Sequence, residues 1–142
     1  MSHEAVLNEA VCEAFANMAF LDLLPSHSAV GKPEAPCVSI DVFEPVNCNL
    51  SLNVPGELLD EMALSATGGE VEGEELEQAK HDILLEVANV IAGAFASRIH
   101  EGGAPVELGL PKVEAPECTK TWQRFETETS WVDVSLEVRN GF

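Results

Sequence analysis

Basic residues are scarce. The chain carries seven Lys and Arg against 25 Asp and Glu, a formal net charge of −18. That balance argues against a nucleic-acid partner, because such a binder must neutralise phosphates with Lys and Arg. It argues equally against an anionic membrane surface. It fits simple solubility, and it also fits a partner that presents a basic patch. Cysteine is sparse too. Cys12, Cys37, Cys48 and Cys118 include no C-x-x-C pair and fall in different expected elements, the pattern of reduced, mostly buried small apolar residues. His3, His27, His81 and His100 form no H-E-x-x-H or other ligand cluster, so no metal or other cofactor is expected in this chain. No apolar run approaches the ~20 residues of a membrane span. The opening MSHEAVLNEAV has no basic stretch leading into a long apolar core, so no signal peptide is read there. A cytoplasmic protein without membrane insertion is expected.

What is present suits one domain. The 142 residues, 46% of them apolar, are enough for one hydrophobic core. Leu7, Val11, Ala14, Phe15 and Met18 recur at helical spacing in the first stretch. Pro25 and the residues to Pro36 break that pattern, with a loop expected at Gly31-Lys32-Pro33. Val38, Ile40 and Val42 then alternate with polar residues, as do Cys48, Leu50, Leu52 and Val54. These read as two half-buried strands joined as a hairpin. A short helix, GELLDEMALSA, follows Pro55 and ends at Thr67-Gly68-Gly69, where glycine suits a C-cap. After a glutamate-rich loop, a long helix is expected from about Glu74 to His100, stopped by Gly102-Gly103. Three more strands are expected, around Val106–Leu110, in TWQRFETET and over Val132–Val138. Short turns between consecutive strands favour antiparallel pairing. The expected fold is α+β: a two-layer sandwich, a mainly antiparallel sheet of about five strands packed against two long helices, in a single domain over 1–142.

The long helix holds the chemistry. At about 100° per residue, taking Asp82 as zero, Glu86 falls near ~40°, Asn89 near ~−20° and Gly93 near ~20°. Leu84, Val87, Ala88, Ile91 and Phe95 lie opposite. The three polar residues and the glycine therefore form one stripe facing away from the core. Two readings follow. The stripe is either the solvated face of an amphipathic helix or a surface that another object approaches closely. The first has difficulties, because Asn is a poor mid-helix residue and Gly costs about 1 kcal/mol there relative to Ala. Small residues such as Ala92 and Ala96 flank the stripe on the wheel and are expected to keep that surface low.

Asp82-x-x-x-Glu86-x-x-Asn89, followed by Val90-Ile91-Ala92-Gly93, resembles the signature of the CheC/CheX chemotaxis phosphatases. That signature has an Asp or Ser, a Glu four residues on, an Asn three further, and a proline downstream, for which Pro111 is the candidate. The opening VCEAFANMAF resembles the first helix of CheX-like domains, and LSLNVPGELLDEMALSATGG resembles the segment before the signature helix. CheC-type members carry two copies of the signature and CheX-type members one. In the first helix, Glu13 and Asn17 stand four apart rather than three, so the chain resembles the single-site CheX type. A homodimer associated through the sheet is also implied.

The resemblance implies an enzyme that removes the phosphoryl group from the phospho-aspartate of a CheY-like response regulator. Asn89 would orient the attacking water, and Glu86 would pair with the receiver's active-site lysine. Asp82, Gly93 and Pro111 would support that arrangement. The Mg2+ and the lysine that neutralise the phosphoryl oxygens are expected in the receiver. The alternative is a non-catalytic adaptor of the same fold that docks on a receiver or another signalling partner.

Overall fold

The computed structural model describes residues 2–19, 21–26, 37–99, 105–115 and 121–139. The loop expected at 31–33, the glycines at 102 and 103, and His27, His100 and Cys118 lie outside them. In chain order the elements are α1 (His3–Ala19), β1 (Leu24–Pro25), β2 (Cys37–Glu44), β3 (Cys48–Asn53), α2 (Gly56–Thr67), α3 (Gly73–Ile99), β4 (Glu107–Leu108), β5 (Lys112–Glu114), β6 (Gln123–Glu126) and β7 (Trp131–Val138). The strands form one sheet in the order β1-β6-β7-β3-β2-β4, with β5 also paired to β2. Every pairing is antiparallel. Helix α3 packs over β2 and β3, and α1 and α2 pack against α3. The α+β, two-layer expectation holds.

Alternation along the strands explains the register. Val38, Ile40 and Val42 of β2 stand opposite Leu52, Leu50 and Cys48 of β3. Leu50 and Leu52 in turn meet Leu136 and Val134 of β7. A slip of one residue would send this whole apolar set to the other face. Cys48 is fully buried, and burial pushes its thiol pKa up to about 11. Phe15 and Phe95 bring the helices into the same core. In α2, Pro55 stands one residue before the helix, and Gly68 ends it at φ +76° with its N–H turned back to the Leu64 carbonyl. Only a residue without a Cβ takes that left-handed conformation at low cost.

Two details differ from the reading of the sequence. Among the described residues the sheet has seven strands rather than about five. The strand expected over Val106–Leu110 is shortened to β4, because Gly109, Leu110 and Pro111 leave the ladder, and β1 and β5 add to the strands expected. The Gly109 N–H still reaches the Asp41 carbonyl at 2.8 Å. β1 is only two residues long, and its Pro25 confines it to an edge. The second difference concerns β3, which is buried on both faces rather than one. It lies mid-sheet between β2 and β7, and two of its three polar side chains, Asn49 and Ser51, bond along the sheet. Asn49 Nδ2 donates to Asp41 Oδ1 at 3.1 Å, and Ser51 Oγ donates to Asn49 Oδ1 at 3.1 Å. On the same face Arg124 holds Asp133 through two bonds of 2.8 and 3.0 Å and lies over the Trp131 ring at 4.3 Å. Cys37 and Cys48 are buried, and Cys12 is half-buried. Among the described residues, no helix is long and apolar enough to cross a membrane.

Candidate functional site

Helix α3 is amphipathic in a way that fixes the site. Leu84, Val87, Ala88, Ile91 and Phe95 are buried, as the 3.6-residue period requires. The opposite face carries the stripe. Asp82, Glu86 and Asn89 are exposed, and Gly93 is half-buried. One turn separates Glu86 from Asn89, so their side chains are neighbours on the helix surface. The stripe lies on the outer face of the helix. Among the described residues, neither Glu86 nor Asn89 has a hydrogen-bond or ion-pair partner. A carboxylate and a carboxamide side by side, both with unused hydrogen-bonding capacity, are free to engage something outside the chain.

Asp82 has a partner. Gln78 Nε2 donates to Asp82 Oδ1 at 2.9 Å, one turn towards the helix start. Gln78 extends the exposed stripe and was legible only as the residue four before Asp82 on the wheel. The surroundings are acidic: Glu74 and Glu75 open the helix. Lys80, on another side of α3, is tied to Asp60 of α2 at 2.9 Å and to Glu77 at 3.4 Å. The Asp60 carboxylate, accepting its hydrogen bond, holds the ammonium above the ordinary lysine range.

The small residues divide differently from expectation. Ala92 and Ala96 are fully buried, so their size serves packing beneath the helix and does not lower the outer surface. Gly93 alone does that. A Cβ built there would meet nothing within 4 Å, so nothing inside the chain demands a glycine at this position.

Pro111 belongs to the sheet layer. It is half-buried between β4 and β5 on the connection that runs along β2. The structure thus brings Asp82, Glu86, Asn89 and Gly93 onto one face of α3 and sets Pro111 at the edge of the sheet. On α1, Glu13 is ion-paired with Arg98 of α3, and Arg98 also lies 3.8 Å from Glu9.

The whole architecture has solved relatives. CheX from Borrelia burgdorferi, in a complex with CheY, BeF3 and Mg2+, superposes with a TM-score of 0.77 at 16% identity, covering 98% of this chain and 99% of that one. CheX from Desulfovibrio desulfuricans gives 0.78 at 13%, covering 98% and 100%. CheX from Vibrio vulnificus gives 0.78 at 15%, covering 98% and 97%. Among curated protein sequences no relative matches. The family described as chemotaxis phosphatase CheX matches residues 36–121, more than half of the chain, from β2 through α3 to beyond β5. On that match the chain belongs to the CheX family of chemotaxis phosphatases.

Proposed function

We propose that this protein hydrolyses the phospho-aspartate of a CheY-like receiver domain in the cytoplasm, with Asn89 orienting the attacking water and Glu86 pairing with the receiver's active-site lysine. The observation that carries the reading is the exposed, unpartnered Glu86–Asn89 pair on one face of α3. The family supports it, as does the B. burgdorferi relative seen together with CheY, BeF3 and Mg2+.

The chemistry asks little of this chain. An acyl phosphate is already reactive, and in this reading the receiver brings the Mg2+ and a lysine to neutralise the phosphoryl oxygens. What remains is to hold one water in line with phosphorus. A carboxamide does this by donating and accepting at once, without titrating. The gain comes from orientation rather than basicity. Glu86, fixed one turn away, sets the register of the helix in the cleft. The proposal includes the homodimer through the sheet implied by the resemblance.

The test follows phosphate release from a phosphorylated CheY-type receiver, with and without the protein. Wild type is expected to accelerate release. Glu86→Ala is expected to raise KM about thirtyfold, the ~2 kcal/mol lower end for truncating one partner of a desolvated charge pair. Binding without any acceleration would leave the adaptor reading in place of the enzyme. The unpartnered Asn89 favours the enzyme, because docking alone does not require a carboxamide at that position.

Gly93 gives a separate prediction of opposite signs. Gly93→Ala is expected to stabilise the fold by about 1 kcal/mol, or roughly 3 °C in Tm, from helix propensity alone. The space above it is open, so no clash offsets that gain. The same methyl group is expected to lower kcat/KM by lifting the receiver off Asn89. Thermal melts and steady-state kinetics on one preparation check both signs.

A further inference from the structure

Glu86 and Asn89 stand between two half-buried apolar side chains. With Asp82 as zero, Leu85 lies near ~−60° and Val90 near ~80° on the wheel, while the polar pair occupies the arc between them. Leu85 and Val90 both pack against the core from below and keep part of their surface in water. Leu85 precedes Asn89 by one turn, and Val90 follows Glu86 by one turn. The polar pair is therefore bracketed on both sides at its own height on the helix. Gly93 leaves the next turn low.

Two polar side chains make a small contact. A standard interface buries about 800 Å² per partner, and transient signalling encounters sit below that. A charge pair such as the one proposed at Glu86 counts fully only when neighbours exclude water from it. The energy of such contacts concentrates in a few residues shielded from water by their neighbours.

The geometry points to Leu85 and Val90 as the apolar frame of the docking surface, one that closes on the receiver around the phosphoryl group and shuts out all water but the one held by Asn89. This inference rests on the phosphatase reading and extends it, because it assigns affinity to residues outside the Asp-Glu-Asn signature. The frame fits a receiver whose phosphorylation pocket is rimmed by apolar side chains. A rim of charged residues would strand those charges against Leu85 and Val90, which makes the pair selective as well as adhesive.

The test uses Leu85→Gln and Val90→Thr, which keep size close to that of the native residue and remove the apolar character. Binding to a CheY-type receiver loaded with beryllofluoride and Mg2+ is measured beside turnover of the phosphorylated receiver, well below the Tm of each variant. The expected result is a Kd and KM raised about tenfold in each variant, with kcat within about threefold of wild type. The defect is expected to persist at high ionic strength, where an ionic contact would be screened. Val90→Ile is expected to keep wild-type binding. Wild-type Kd in both polar variants, with Asn89→Ala still inactive, would overturn the frame and leave the phosphatase reading standing. Wild-type turnover in Asn89→Ala would overturn the phosphatase reading, and the frame with it.

Discussion

Asn89→Ala is expected to lower kcat for dephosphorylation of a CheY-type receiver by a hundredfold or more, with Kd for the beryllofluoride-loaded receiver within about threefold of wild type. The magnitude follows from removing one preorganised hydrogen-bonding group that acts on the reacting atoms, which costs roughly 10²–10³ in kcat. The near-constant Kd follows from position. Asn89 is exposed and bonded to no described residue, so its loss leaves no orphaned group inside the protein. In the proposed function its work is with the water rather than with the receiver. A change confined to kcat is the signature of an interaction made only in the transition state. Single-turnover phosphate release, read against binding, separates the two quantities. Equal losses in binding and turnover would reassign Asn89 to docking.

Phe95→Ala is expected to cost about 3–5 kcal/mol of stability, the range for emptying a large aromatic site in a packed core. Phe95 is fully buried and lies 6.2 Å from the His3 ring, nearly edge-on at 80°. It also stands at the junction of α1 and α3, where collapse to refill the space would have to move a whole helix. A domain of this size holds only about 5–15 kcal/mol in total. Chemical denaturation should therefore show a much lower midpoint at an unchanged slope. A loss under 1 kcal/mol would mean that the junction closes over the vacated volume.

Helical rotation made legible which face of α3 carries the candidate residues. Asp82, Glu86 and Asn89 emerged exposed on one face because a single angle per residue governs a helix, whatever surrounds it. The same rotation misjudged Ala96. It lies only ~40° from Asp82 on the wheel, yet it is fully buried. Rotation gives direction along one element, while burial depends on how far neighbouring elements climb its sides. The alternation in Val38–Val42 and Cys48–Val54 fixed two strands and their pairing. It did not reveal that β3 is central, because strand order comes from contacts distant in sequence, such as Asn53 with Asp133. Pro111 was the hardest to place for the same reason. Its position depends on which strand edge β4 and β5 join, and nothing within the chain near residue 111 records that.

The exposure of the stripe on the outer face of α3 has a consequence for selectivity in the proposed function. Among the described residues Asn89 is exposed on the outer face of α3, so in the proposed function acetyl phosphate or another free acyl phosphate would be held too loosely for Asn89 to aim a water at it. On that reading only a substrate that brings its own walls would react. In the proposed function the catalytic chamber would exist only while two proteins are together, so free acyl phosphates would be spared.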